Sequence, residues 1–151
     1  MYWWRRSFCY DCEENLMNDK KTIAVIGSGT MGNGIAHVSA LSGYSVFLVD
    51  IKNELLEKAI SKISTNLQKQ VDKGIISEDK KVESLNAITT TVNMSDIKNA
   101  DLAIEAAPEN QDIKNKIFSN LDSICKSETI LASNTSSISI TDLGKQTNRE
   151  N

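Results

Sequence analysis

Three glycines and one aspartate carry the strongest chemical signal in this sequence of 151 residues. The glycines stand at positions 27, 29 and 32, directly after the apolar run Thr22–Ile26, and Asp50 ends the next apolar run. Such glycines permit a tight turn, let a pyrophosphate approach the backbone and let the following helix pack closely, so that the helix amides face the phosphates. The spacing therefore predicts a dinucleotide site. The loop residues predicted to contact this ligand are Gly27, Gly29, Thr30, Met31 and Gly32.

Asp50 indicates which dinucleotide the site prefers. A carboxylate at the end of the second strand accepts hydrogen bonds from an adenosine ribose, and it repels a 2′-phosphate. Ile51 supplies no positive charge that would offset this repulsion, so the sequence predicts NAD rather than NADP as the cofactor. The alternative is a structural glycine turn followed by an aspartate that caps the next helix.

The elements that must position these residues alternate between strands and helices. This alternation predicts an α/β fold with a doubly wound parallel sheet of the Rossmann type, in strand order 3-2-1-4-5 and incomplete at its C-terminal end. The predicted strands are Thr22–Ile26, Tyr44–Val49, Ala87–Val92, Leu102–Ala106 and Ile130–Ser133. Among the helices, a long one is capped by Asn53 and ended by Gly74, and a short one is capped by Ser77. The helix Gln111–Ile124 is expected to turn Ile113, Ile117, Leu121 and Ile124 inward. In such a sheet the ligand binds outside the carboxyl ends of the strands.

Composition sets the remaining limits. A net charge of −3 gives no indication of nucleic-acid or membrane binding. Three cysteines in a chain with this patterning favour a reducing compartment, which we take to be the cytoplasm. Residues 1–19 lack periodicity and are predicted to be a disordered leader before a domain at residues 20–151. Cys9 and Cys12 offer two ligands where zinc needs about four, so no metal site is predicted.

Two further motifs fall in loops at the same end of the predicted sheet. They are Glu105-Ala-Ala-Pro-Glu109-Asn110 and Ala-Ser-Asn134-Thr-Ser136-Ser-Ile. Together with the glycine loop, they make the chain resemble the 3-hydroxyacyl-CoA dehydrogenase family, and most closely its 3-hydroxybutyryl-CoA type, from about Lys21 to the C-terminus. The resemblance implies NAD-dependent oxidation of the 3-hydroxyl group of an acyl-CoA, or the reverse reduction, in fatty acid or butyrate metabolism.

The resemblance also implies roles for single residues. Ala106, Glu109 and Lys114 would lie along the nicotinamide half of the cofactor. Asn134 would lie near the nicotinamide, and the Ser136 hydroxyl would hold the 3-oxygen of the substrate, which makes these two residues the candidate catalytic side chains. Lys73 is the candidate contact for a phosphate of the CoA. The alternatives are a polar turn and helix cap at residues 134–137, a first-turn helix acid at Glu109 and a solvated face at Lys73.

The chain departs from the family at the proton-transfer step. Hydride transfer from an alcohol needs a base for the hydroxyl proton, and the family uses a histidine in a His-Phe-Phe-Asn-Pro segment that this sequence does not contain. Its single histidine, His37, falls on the helix after the glycine loop, where a structural role is expected. The helical domain through which the family dimerises is not found in the sequence either. We therefore expect the chain alone to be inactive, and the alternative function is a non-catalytic nucleotide-binding module.

Overall fold

The computed structural model describes residues 21–149, so the predictions for residues 1–19 and for Cys9 and Cys12 lie outside the described residues. Within this range the strands are β1 (Thr22–Ile26), β2 (Ser45–Val49), β3 (Ile88–Thr91), β4 (Leu102–Glu105) and β5 (Ile130–Ser133). The α-helices are α1 (Thr30–Leu41), α2 (Asn53–Asp72), α3 (Glu78–Asn86), α4 (Gln111–Ile124) and α5 (Ile140–Gly144), with a 3₁₀ turn at Met94–Ile97. Three predicted strands extend one residue too far at one or both ends. None of the helices between residues 21 and 149 is long and apolar enough to cross a membrane.

The five strands form one parallel sheet in the order β3-β2-β1-β4-β5, which confirms the predicted topology. The register aligns their carboxyl ends. Ile26 at the end of β1 pairs with Val49 on one side and with Glu105 on the other, and Glu105 is in turn the neighbour of Ser133. The loops that follow β1, β2, β4 and β5 therefore meet at one edge of the sheet.

Apolar side chains cover both faces of this sheet. On one face, Leu56, Ile63 and Leu67 of α2 pack with Val25 and Leu48 of the central strands. On the other face, the core includes Ala24, Ala103, Ile97, Leu121 and Cys125. Parallel strands that are covered on both sides form the interior of the domain, and this packing holds their ends in a fixed arrangement.

Two local predictions need correction. The N-cap of α2 is Lys52 and not Asn53, which is the first residue of the helix, and no side chain bonds to the backbone there. In α4, Ile113 was expected to face inward but is 42% exposed, whereas Lys114 is fully buried. Buried positions at Lys114, Phe118 and Leu121 follow the helical period, so the inward face of α4 begins one residue later than predicted. Ser77 does cap α3, since its side chain accepts a hydrogen bond from the Lys80 amide.

Candidate functional site

The glycine loop connects β1 to α1, and two of its glycines have no room for a side chain. Gly27 has a φ of +102°, and a Cβ added there would lie 2.7 Å from the carbonyl oxygen of Ala106 at the end of β4. A Cβ at Gly32 would lie 1.8 Å from the carbonyl oxygen of Gly27. These contacts give physical reasons for the first and third glycines, because a side chain at either position collides with backbone atoms.

The middle glycine differs from the other two. Gly29 is the N-cap of α1, and a Cβ there would meet no atom of residues 21–149 within 4 Å. Thr30 and Met31, which open the helix, are exposed, and the first turn contains no acidic residue. The amides of a helix's first turn have no partner within the helix. This loop therefore offers an anion open space and backbone N–H donors that no acidic side chain of the first turn opposes. A pyrophosphate fits these features.

Asp50 lies against the glycine loop. Its Oδ2 accepts hydrogen bonds from the Ser28 amide at 2.7 Å and from the Ser28 hydroxyl at 2.6 Å. Its Oδ1 accepts one from the Ile51 amide at 2.7 Å. The glycine loop therefore holds the Asp50 carboxylate in place. Ser28 is a positioning residue that the sequence pattern did not reveal.

An open cleft of about 690 Å³ adjoins Asp50 at the ends of β2 and β3. Its lining includes the exposed apolar side chains of Ile51, Leu55 and Val92, with Lys52 and Lys58 beside them. Apolar side chains of this kind can pack against a flat heteroaromatic ring. The cleft was not predicted, because Val92 follows β3 whereas the other lining residues follow β2.

A buried ion pair lies at the end of β4. The side chains of Glu105 and Lys114 have no exposed surface, and the Lys114 ammonium donates to both carboxylate oxygens of Glu105 at 2.8 Å. Glu105 also accepts hydrogen bonds from the Ala107 amide at 2.6 Å and from the Ser133 hydroxyl at 2.5 Å. The pair thus joins β4, β5 and α4. Because it is enclosed, Lys114 presents no surface to a ligand in this structure.

Glu109 links the loop after β4 to the loop after β5. One carboxylate oxygen accepts hydrogen bonds from the hydroxyls of Thr135 and Ser137, the latter at 2.7 Å, and the other lies 3.3 Å from the Lys114 ammonium. The hydroxyl of Thr135, then that of Ser137, and also Lys114 lower the pKa of Glu109 from its usual value of 4.5 to about 2. Glu109 is therefore ionised at neutral pH and bridges two loops of the site.

Asn134 and Ser136 alternate with the two residues that bind Glu109. Both are exposed, and their side chains make no hydrogen bond to any residue between 21 and 149. The backbone of Asn134 is fixed, because its amide donates to the Glu105 carbonyl at 2.8 Å. Ala106 is fixed in the same way by its bond to the Ile26 carbonyl at 2.8 Å. The predicted residues Ala106, Glu109, Asn134 and Ser136 are thus brought together at one edge of the sheet.

Two residues discussed from the sequence lie away from this edge. Lys73 is the C-cap of α2, about 30 Å along a helix of 20 residues from the end near Asp50, so the structure does not bring it to the other site residues. His37 is buried, its Nε2 lies 3.3 Å from Gln70 Nε2, and burial lowers the pKa of its imidazole. A buried neutral ring between two helices fits the expected structural role.

Comparison with known proteins agrees with this geometry. The family model described as "3-hydroxyacyl-CoA dehydrogenase, NAD binding domain" matches residues 22–151. The 3-hydroxybutyryl-CoA dehydrogenase of Bradyrhizobium diazoefficiens is 44% identical over 129 residues, which are 85% of this chain and 44% of that protein. The fatty acid oxidation complex subunit alpha of Pseudomonas entomophila is 38% identical over 136 residues, 90% of this chain and 19% of that protein. The chain therefore spans less than half the length of these relatives.

Solved structures show the same likeness. The crystal structure of (S)-3-hydroxybutyryl-CoA dehydrogenase from Ralstonia eutropha superimposes with a TM-score of 0.84 at 40% identity, over 87% of this chain and 46% of that one. The 3-hydroxybutyryl-CoA dehydrogenase structure from Escherichia coli gives a TM-score of 0.81 at 40% identity, over 83% of this chain and 27% of that one. The residues that the family model matches, 22–151, include the sheet and all the loops described above. The chain therefore belongs to the 3-hydroxyacyl-CoA dehydrogenase family, of which it carries the NAD-binding domain.

Proposed function

We propose that this chain supplies the cofactor half of a dehydrogenase that transfers a hydride between NAD and carbon 3 of a 3-hydroxyacyl-CoA, with 3-hydroxybutyryl-CoA as the preferred type. The observation that carries the proposal is the position of Asn134 and Ser136. Their side chains are exposed at the strand edge that also holds the glycine loop. A dinucleotide whose pyrophosphate lies on α1 and whose adenosine lies at Asp50 extends its other half over the ends of β4 and β5.

Each residue of the site has a defined task in this proposal. The amides of α1 bind the pyrophosphate, and Asp50, held by Ser28, accepts hydrogen bonds from the adenosine ribose. Ser136 donates a hydrogen bond to the oxygen on carbon 3, and Asn134 orients the nicotinamide beside it. Bound NAD supplies the hydride acceptor. We further propose that Lys73 contacts a CoA phosphate only when the acyl-CoA reaches past the strand edge along α2.

Proton transfer requires a group that we do not assign within these 151 residues. The only histidine in the sequence is His37, and its buried ring contacts Gln70. A general base must come within hydrogen-bond reach of the proton it removes. We propose that the base is provided by another segment or chain, and that the 151 residues bind cofactor without turning over substrate. Steady loss of NADH absorbance with acetoacetyl-CoA and the purified chain would contradict the second half of this proposal.

Calorimetric titration with NAD and NADP tests the cofactor site. We expect NAD to bind at least about tenfold more tightly than NADP, because a 2′-phosphate beside Asp50 places like charges together. In Asp50→Ala this preference should disappear. Ser28→Ala is the matched control, since it removes one hydrogen bond to Asp50 and keeps the carboxylate, so the preference for NAD should persist. Equal affinity of the wild-type chain for both cofactors would refute the assignment of Asp50.

A further inference from the structure

The loop after β5 carries four polar residues with two different environments. Asn134 and Ser136 are exposed and make no side-chain hydrogen bond to residues 21–149, whereas Thr135 and Ser137 both donate to the same oxygen of Glu109. Glu109 belongs to the loop after β4, 26 and 28 residues earlier in the sequence. Alternate residues of the segment therefore either bond to the neighbouring loop or keep an exposed side chain that makes no hydrogen bond to residues 21–149.

Thr135 also shapes its own loop. Its hydroxyl oxygen accepts hydrogen bonds from the Ile138 amide at 3.1 Å and from the Ser137 amide at 3.4 Å. One side chain thus closes a local turn and bonds to Glu109. Because Glu109 is ionised at neutral pH and lies beside Lys114, the two hydroxyls bind a fixed anion, and hydrogen bonds to a charged acceptor are stronger than those between neutral groups.

We propose that Thr135 and Ser137 are positioning residues, whose bonds to Glu109 hold the loop after β5 so that Asn134 and Ser136 face the nicotinamide half of the cofactor. This inference rests on the proposed function, which puts that half over the ends of β4 and β5. Both hydroxyls are engaged with Glu109, so in this proposal they act through the loop and not by contact with the cofactor. Without them, the loop would still be tied at the Asn134 amide but would lose its connection to the neighbouring loop.

The proposal predicts which part of the cofactor is affected. We compare NAD with ADP-ribose, which has the same adenosine, pyrophosphate and second ribose but no nicotinamide. In Thr135→Val/Ser137→Ala, NAD affinity should fall on the order of tenfold, because Asn134 and Ser136 must then be ordered at the moment of binding. The affinity for ADP-ribose should change less than about twofold, since the glycine loop and Asp50 are untouched.

Two further variants separate positioning from general damage. Thr135→Ser keeps the hydroxyl and, with Ser137 intact, should bind NAD like the wild-type chain. Thr65→Val removes an exposed hydroxyl on α2 that bonds to the Ser61 carbonyl, and it should affect neither ligand. The ADP-ribose measurement reports on the chain as a whole, because a loss caused by unfolding lowers the affinity for NAD and ADP-ribose together.

The outcomes are distinct. Selective loss of NAD affinity in the double variant, with wild-type NAD affinity in Thr135→Ser, supports the proposal. Equal loss for both ligands, or unchanged NAD affinity in the double variant, overturns it and leaves the proposed function standing. A wild-type chain that binds ADP-ribose as tightly as NAD also overturns it, because the nicotinamide half then makes no favourable contact. A wild-type chain that binds neither ligand overturns the proposed function and this inference with it.

Discussion

The buried ion pair at the end of β4 allows a quantitative prediction for Lys114→Met. Methionine has similar length and no charge, so the substitution leaves the Glu105 carboxylate in an enclosed position with no exposed surface. Of the four hydrogen bonds that the Glu105 carboxylate accepts, the two from Lys114 at 2.8 Å are lost. Those from the Ala107 amide and the Ser133 hydroxyl remain, and both of these donors are neutral.

Removing one partner of a buried pair costs about 3–5 kcal/mol, because the other charge stays buried without compensation. Lys114 also lies 3.3 Å from Glu109, but that carboxylate is partly exposed and water replaces the contact at little cost. With a denaturant slope of about 2 kcal/mol/M, the midpoint of urea unfolding should fall by about 2 M. For a domain of this size, the melting temperature should fall by about 10 °C.

The double variant Glu105→Gln/Lys114→Met is the control. It removes both charges and keeps both shapes, so it should recover most of the stability that the single variant loses. If Lys114→Met does not fold, recovery of folding in the double variant still tests the reasoning. A loss below about 1 kcal/mol in the single variant, or an equal loss in both variants, would show that the pair is not the buried charge pair that the geometry indicates.

Three further predictions address the rest of the site. Gly32→Ala, whose Cβ would lie 1.8 Å from a carbonyl oxygen, should unfold or strongly destabilise the domain. Gly29→Ala, whose Cβ would meet no atom of residues 21–149 within 4 Å, should melt like the wild-type chain and yet lose NAD affinity. Thermal melts and NAD titrations test the two expectations, and equal melting temperatures for the two variants would contradict the first. The pKa of Glu109 is about 2 in the folded chain and 4.5 as its usual value. Its contribution to stability is therefore complete above pH 4.5 and is lost as the pH falls toward 2. The difference in unfolding free energy between wild type and Glu109→Gln should shrink from pH 4.5 to pH 2 and stay constant above pH 4.5. The ring of His37, the only histidine, should titrate by NMR below 6.5, because burial lowers its pKa, and a midpoint above 6.5 would refute its buried environment.

Local patterns predicted the parts of this fold that depend on neighbouring residues. The bounds of β1, β5 and α4 agree with the prediction to the residue, because a short apolar run or a helical period is visible within a single segment. The sheet order also followed, since alternating strands and helices with right-handed crossovers leave few topologies. Two glycines of the loop were predictable for a related reason, because Gly32 lies close to the Gly27 carbonyl of its own turn and Gly27 lies close to the end of the adjacent strand β4.

The parts that were not predicted depend on residues far apart in the sequence. The bond from Ser28 to Asp50 spans 22 residues, and those from Thr135 and Ser137 to Glu109 span 26 and 28. Whether two such side chains meet is decided by the strand register and by loop geometry, neither of which a single segment encodes. The error at Ile113 has the same origin. A lysine is rarely buried unless it is paired, and the partner that makes Lys114 an inward residue lies nine positions away on another element.

Glu105 explains why stability and function are hard to separate at this edge of the sheet. As the last residue of β4, it pairs with Ile26 of β1 and with Ser133 of β5, and its side chain holds Lys114 of α4. A single substitution of Glu105 leaves Lys114 without its buried partner and disturbs four elements together with the loops of the site, so a loss of binding would have two explanations. Thr135 and Ser137 lie outside the buried pair, and their bonds reach only Glu109 and their own turn. Substitutions at these two hydroxyls can therefore change the position of the loop while the buried pair that supports the fold remains intact.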